Sequence, residues 1–159
     1  MISEQPAPSV HFTLHNREEI VSGTIIHLQL KPAEGTPMKP VHSVTAITGY
    51  GLQGDANAGR SKRQVLIIER ELLDEFQLPI GDVRENITVQ GIPLAGMEAG
   101  TRIRVGSALL EATLDCAPCQ FIEDKRPGLR AAMEGKRGTL FKVIVGGEIK
   151  VGDEIAVVA

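Results

Sequence analysis

The 159-residue chain reads as a mainly β protein, a closed β-barrel with about two short helices. Three observations predict this. Short β-branched runs bounded by glycine or proline recur along the chain, only two segments have helical spacing, and Gly106-Ser107 supplies a two-residue turn between two alternating runs. A small open sheet must protect its edges, and closure removes them. No linker divides the chain, so it reads as one domain of residues 1–159, with a core at about 21–158 and an N-terminal extension over 1–20. By size scaling such a chain buries roughly 70% of its unfolded surface and needs no disulfide staple.

Val21–Leu30 (VSGTIIHLQL) predicts a strand that stops at Lys31-Pro32, and after a Pro/Gly loop Val41–Thr48 (VHSVTAIT) predicts another that stops at Gly49. Gln64–Ile68 follows as a short strand. Glu69–Gln77 carries Leu72, Leu73 and Phe76 at helical spacing and ends before Pro79 and Gly81. Asn86–Val89 and Arg102–Val105 predict strands, and Gly106-Ser107 folds the second of them onto Ala108–Cys116. Glu148–Asp153 echoes Arg102–Ser107, which predicts a second hairpin of the same type and favours a closed barrel. Pro127–Gly135 has Pro at a first helical position and Gly at the end, the signature of a short helix.

Composition narrows the function. A formal charge of −3 without long blocks, no Trp and one Tyr argue against a nonspecific nucleic-acid binder and against base-stacking platforms. Met1–His15 lacks the order of a signal peptide, and no apolar run approaches the roughly 20 residues of a membrane helix, so a cytoplasmic protein without membrane or nucleic-acid partners is expected. Two cysteines in such a chain are expected to be reduced thiols.

Those cysteines hold the chemistry. Leu110, Ala112, Leu114 and Cys116 share one face of their strand, which predicts Cys116 in the core, while Glu111, Thr113 and Asp115 point the other way. Pro118 cannot donate to a ladder, so the strand should end there and leave Cys119 on a connection at the sheet's rim. Lys125, Arg126 and a helix start at Pro127 would favour a thiolate if the chain folds back on the sulfur. As a C-x-x-C pair the two thiols admit half a zinc site, a redox pair, or one core and one exposed thiol; strand alternation favours the last. His11, His15, His27 and His42 show no zinc spacing, so no protein-only zinc site is expected and a metal would arrive inside a cofactor.

Other motifs divide between function and ordinary structure. Gly49–Gly54 (GYGLQG) matches a dinucleotide-binding glycine pattern, but the polar Asp55–Arg63 segment that follows has no apolar period for the helix such a site requires. The same loop offers Asp55 and Asn57 as hydrogen-bonding groups and Arg60, Lys62 and Arg63 as cations beside a strand start, suited either to an anionic ligand or to solvent. Arg84-Glu85-Asn86 is either a binding constellation or a turn with an ion pair, and on spacing alone the turn is favoured. No nucleophile elbow for a Ser-His-Asp triad is present.

Taken in order, Gly54–Gly59 (GDANAG), Arg63-Gln64-Val65, Arg84–Thr88 (RENIT), Gly91–Leu94 (GIPL), Gly100, Val105-Gly106 and Pro118-Cys119 resemble the MOSC domain, named after the C-terminal part of molybdenum cofactor sulfurases. The resemblance runs from about Gly23 to Val158. It implies a barrel of the kind inserted in pyruvate kinase and binding of the molybdopterin form of the molybdenum cofactor, with Cys119 near or on the metal. It also implies Arg63 and Arg84 for the pterin phosphate or ring, and Asn86 for orienting hydrogen bonds. Asn57 stands where many family members have His, and Cys116 is a candidate resolving thiol. A cofactor-binding protein follows as the first expectation, either a reductase component for N-hydroxylated compounds served by a separate electron-donating reductase or a cofactor-handling module. A sulfur carrier with a persulfide on Cys119, loaded by a cysteine desulfurase, is the second, and a non-enzymatic interaction domain the third.

Overall fold

The computed structural model describes residues 21–158. The expected N-terminal extension over 1–20, with His11 and His15, lies outside the described residues. The strands are β1 (Ser22–Leu30), β2 (Lys39–Val41), β3 (Ser43–Ile47), β4 (Gly51–Leu52), β5 (Val65–Glu69), β6 (Ile87–Gln90), β7 (Arg102–Val105), β8 (Ala108–Asp115), β9 (Thr139–Val145), β10 (Gly147–Lys150) and β11 (Glu154–Val157). Three short helices join them: α1 (Arg70–Glu75), α2 (Gln120–Glu123) and α3 (Leu129–Ala132).

Seven strands close on themselves in the order β1-β6-β5-β9-β8-β7-β11, with β11 returning to β1. Neighbours are antiparallel except β5 and β6, which run parallel across the α1 connection. Each barrel strand sends a fully buried residue inward: Ile25, Val89, Ile67, Phe141, Leu110, Ile103 and Ile155 in that order. Each such burial contributes roughly 1.5–3 kcal/mol, and branched aliphatics fill the interior with Phe141 as the one aromatic in the barrel's core cluster. Both faces of β5 are covered, because Val65 and Ile67 point into the barrel while Ile68 packs under Leu73, Phe76, Ile122 and Met133 of the helical layer. Its sequence VLIIE therefore reads as a continuous apolar run rather than an alternating one. Among the described residues no helix is long and apolar enough to cross a membrane.

The expected elements differ from the observed ones in five places. The strand expected over Val41–Thr48 is broken at His42, so that β2 pairs with β1 and β3 joins β10 and β4 in a separate three-stranded sheet. Glu69 ends β5 instead of starting the helix, and α1 covers only Arg70–Glu75. The helix expected from Pro127 begins after Gly128, which takes a left-handed φ of 88°, and α2 was not expected at all. The Glu148–Asp153 echo forms no second hairpin, because β10 pairs with β3 while β11 returns to the barrel. Instead the two similar turns stack: the N–H groups of Gly106 and Ser107 donate to Glu154 O and Glu148 O, both at 3.0 Å. A Cβ on Gly106 would lie 2.6 Å from Asp153 Oδ2 and 2.9 Å from Glu148 O, so glycine is required there by contact as well as by its φ of 57°.

Candidate functional site

An irregularity in β8 builds the site. Its pairing with β9 shifts between Ala112 and Leu114, a β-bulge at Thr113 that ends the inward alternation. Leu114, expected in the core, is 36% exposed, and Cys116 leaves the barrel interior. Cys116 is buried instead in a small cluster with Leu66 and Leu140, where all three residues line an open cleft of about 420 Å³. The expectation of a barrel-core thiol is corrected to a thiol on the cleft floor, and the cause is the extra residue in the strand.

The Cys116 N–H donates to Gly138 O at 2.9 Å, extending the β8–β9 ladder past its last pair and bringing Arg137, the residue before Gly138, to the same cleft. No turn or bend separates Cys116 from Cys119, whose own backbone is extended at φ −128° and ψ −172°. Cys119 stands exposed at the rim as the residue that opens α2. The two sulfurs thus occupy different levels of one cleft, the arrangement expected for a buried and an exposed thiol rather than a metal half-site. Among the described residues no group of three or more His, Cys, Asp or Glu side chains is placed to hold a metal ion.

Cations line the walls. Arg60, Arg63, Arg84, Arg137 and Lys31 all reach the cleft, against one carboxylate, Glu34, which lies 3.5 Å from Lys31. Among the described residues none of the four guanidinium groups is paired with a carboxylate. Arg63 Nη2 lies 3.9 Å from Cys116 Sγ. Arg84 Nη2 donates to Thr36 O at 3.0 Å, and its guanidinium carbon stands 6.0 Å from the centre of the Phe121 ring. Arg84 takes a left-handed φ of 62°, a conformation that costs a non-glycine residue about 1–2 kcal/mol. The loop around it enforces that backbone: Gln29 Nε2 donates to Gly81 O and Glu85 O, while Glu85 Oε2 accepts from Gly81 N and Thr88 Oγ1. Strain held in this way at a cleft wall is characteristic of binding sites.

The cationic loop is held rigidly from beneath. Asp55 accepts hydrogen bonds from Lys31 N (2.7 Å), Asn57 N (3.0 Å) and Asn86 Nδ2 (3.0 Å). Asn86 Oδ1 accepts from Leu66 N, and its amide also donates to Gln29 O. Gln64 ties Arg60 O to the Val143 N–H, and the bulged Thr113 places its hydroxyl 2.6 Å from Lys62 O. The side-chain carboxylate of Asp55 and the amide of Asn86, both expected to meet a cofactor, are thus engaged by the protein itself and position the loop that carries Asn57, Arg60 and Arg63.

Two other expected residues are not among those that line the cleft. Lys125 pairs with Asp82 at 3.0 Å and sits 4.5 Å over the Phe121 ring, lining a neighbouring cavity. Arg126 donates to Phe76 O on the α1 side. Folding back after Cys119 is done by α2, which the sequence pattern did not reveal. At its end, Glu123 accepts from Gly128 N and Arg130 N at the start of α3, and these bonds hold its carboxyl below the usual range. Arg137 is the residue missed outright. Its signal was present in Lys136-Arg137-Gly138, cations just before a strand start as in Arg60–Arg63.

Residues 54–156 match the family described as MOSC domain. The chain belongs to the MOSC domain family. The family is generally associated with molybdenum cofactor binding and sulfurase-like function. The matched segment of this MOSC domain runs from Gly54 in the cationic loop to Ala156 in β11, and so includes both thiols and all four arginines of the cleft. No functionally curated protein matches the sequence. Among solved structures, the YUAD protein from Bacillus subtilis is similar at 21% identity and a TM-score of 0.70, covering 87% of this chain and 97% of that one. YiiM from Geobacillus stearothermophilus is similar at 19% identity and a TM-score of 0.69, covering 86% of this chain and 75% of that one. YiiM from Escherichia coli is similar at 21% identity and a TM-score of 0.64, covering 86% and 70%. At these identities the likeness establishes the shared barrel.

Proposed function

We propose that this MOSC protein binds the molybdopterin form of the molybdenum cofactor in the cleft, with Cys119 as the sulfur ligand to molybdenum. One observation carries the reading: an exposed thiol shares a cleft with guanidinium groups that no carboxylate among the described residues neutralises. A thiolate suits a soft, thiol-rich metal centre, and planar guanidinium forks suit a phosphate or a pterin ring. The cleft's volume of about 420 Å³ falls within the roughly 300–1,000 Å³ of small-molecule sites. Arg137 lines the same cleft, and two of its buried nitrogens, Nε and Nη1, have no hydrogen-bond partner among the described residues, so its charge too is uncompensated there.

Within this reading Arg63 and Arg84 would hold the cofactor's anionic and planar parts, and Leu66 and Leu140 would give it an apolar, water-excluding wall. Asn57, held by Arg60 Nη1 at 3.3 Å, donates or accepts hydrogen bonds but, unlike histidine, moves no proton near neutral pH. When bound, the cofactor supplies electron transfer at molybdenum, while the chain supplies charge and orientation. Reduction of N-hydroxylated compounds, with electrons from a separate reductase, is the activity we propose for such a site. The exposure of Cys119 also supports a second reading, a sulfur carrier loaded by a cysteine desulfurase.

Protein purified from a host that makes the cofactor is expected to contain molybdenum and pterin in amounts matching the chain. Trace amounts of both overturn the first reading. A sulfur adduct on intact mass, formed with a desulfurase and absent from Cys119→Ser, would then support the second.

A further inference from the structure

A second bulge aims a second reactive group. The pairing of β1 with β6 shifts between Ile25 and His27, so that Ile25 and Leu28 both reach the barrel core while His27 between them is turned out of it, half-buried. Bulges of this kind re-aim side chains beside functional sites. His27 lines the cavity of about 500 Å³ to which Lys125 also belongs, and that cavity shares Arg84 and Phe121 with the thiol-bearing cleft. The two hollows meet at one wall. Gln29, itself buried, settles which imidazole nitrogen is free. Its amide nitrogen donates to Gly81 O at 3.0 Å and to Glu85 O at 2.9 Å, which leaves Gln29 Oε1 facing His27 Nε2 at 3.2 Å. A carboxamide oxygen only accepts, so Nε2 carries a hydrogen and Nδ1 is the nitrogen left for a ligand. A Cβ on Gly81 would lie 2.9 Å from the same oxygen, so glycine there keeps it open to the imidazole. Met38, Pro40, Ile80 and Phe121 give the cavity apolar walls, and its carboxylate, Asp82, is already paired with Lys125 at 3.0 Å.

We infer that this second cavity takes the organic body of the substrate, a neutral N-hydroxylated compound with an apolar frame, and that His27 is its proton donor, an assignment that rests on the reductive reading above. That chemistry consumes protons. Reduction of R–NH–OH to R–NH2 breaks the N–O bond with an electron pair from the separate reductase, delivered through the cofactor; one proton joins the departing oxygen to make water and another joins the nitrogen. The cleft itself is poorly supplied with them. None of the described residues that line it is a histidine, its guanidinium groups and Asn57 release no proton near neutral pH, and Glu34 is paired with Lys31. Histidine is the side chain that ordinarily exchanges a proton in that range. His27 gives the Nδ1 proton to the departing oxygen and keeps the Nε2 hydrogen on Gln29, which is the tautomer the hydrogen bonds already hold. Solvent at the open mouth reloads Nδ1 and supplies the second proton.

Reduction of N-phenylhydroxylamine to aniline by cofactor-loaded protein is the assay, with molybdenum content measured on each preparation. His27→Gln should lower kcat by about a hundredfold or more and leave KM and molybdenum content within about twofold of wild type. Wild-type kcat should fall as pH rises through the titration of the histidine, because the protonated ring is the donor, and this limb should be absent from His27→Gln. The charged groups around the ring are Asp82, Arg84 and Lys125 across the cavity and Glu85, which holds the hydroxyl of Thr88, the register partner of His27. The limb should therefore persist in Asp82→Asn. Ile80→Glu, on an exposed wall residue, should raise KM about tenfold with kcat retained, and it decides the site should His27→Gln fail to fold. In cofactor-free protein, benzohydroxamic acid should shift the His27 ring signals in NMR spectra. Wild-type kcat in His27→Gln, wild-type KM in Ile80→Glu, or His27 signals unmoved by benzohydroxamic acid overturns the inference and leaves the cofactor reading standing. A wild type that holds molybdenum and reduces no N-hydroxylated compound overturns the reductive reading and the proton-donor role with it.

Discussion

Cys119→Ser is expected to strip molybdenum from the purified protein by an order of magnitude or more while leaving the fold as it was. The side chain is exposed and no hydrogen bond of its sulfur is present among the described residues, so the substitution should change stability by no more than about 0.5 kcal/mol. Serine keeps the size and loses the soft, readily ionised donor, which separates ligation from packing. Phosphate affinity should be unchanged, since no cation has been removed. Metal analysis, urea unfolding and phosphate titration on the same preparation check all three parts. Molybdenum retained at wild-type level in Cys119→Ser would remove the sulfur from the site.

Asn86→Ala is expected to have the largest effect on stability of any polar substitution near the cleft, a loss of about 2–5 kcal/mol in urea unfolding. Its amide joins Leu66 N, Gln29 O and Asp55 Oδ1, all in buried residues, so truncation takes the acceptor from the Leu66 N–H and one donor each from Gln29 O and Asp55 Oδ1, the latter keeping the Lys31 N–H. The cationic loop would lose its tie to the start of β6 and keep only its bonds to Lys31 after β1, and molybdenum content should fall as a consequence of the loosened loop. A residue that only touched the cofactor would behave differently: truncation would lower metal content and leave unfolding within about 0.5 kcal/mol of wild type. The comparison of the two readouts decides between brace and ligand.

The barrel was legible because most strands carry their own punctuation: Lys31-Pro32 after β1, Gly106-Ser107 between β7 and β8, Pro118 past the end of β8. Cys119 was legible for the same reason, since a proline beside it fixes where the ladder must stop. Features decided by distant pairing were not. The parallel match of β5 with β6 and the separate sheet of β3, β4 and β10 depend on partners far along the chain. The Glu148–Asp153 echo misled because local similarity does not choose a strand's partner. A single bulge at Thr113 moved Cys116 from the interior to the cleft floor, and period-two reasoning has no means of detecting an inserted residue.

Charged and polar groups were the harder part. Asp55, Arg63, Arg84 and Asn86 read as one class in the sequence, yet the structure divides them. Arginines line the cleft, whereas the carboxylate and the amide are engaged beneath it. Composition assigns a residue its chemistry and not the direction it faces. The place of Arg137 is not legible in the sequence, because it lies in burial without a hydrogen-bond partner among the described residues for two of its nitrogens, a tertiary property. Lys125 and Arg126 are near the thiol in sequence, yet they engage Asp82 and the Phe76 carbonyl, partners far along the chain.

Coordination of molybdenum by the Cys119 sulfur is tested most directly by X-ray absorption at the molybdenum edge, comparing cofactor-loaded wild type with Cys119→Ser reloaded to a measurable level. The metal in the serine variant is expected to lose a sulfur neighbour and gain an oxygen or nitrogen one. An identical set of sulfur neighbours in both proteins would contradict ligation by Cys119 and leave the cleft as an anion site with an incidental thiol at its edge.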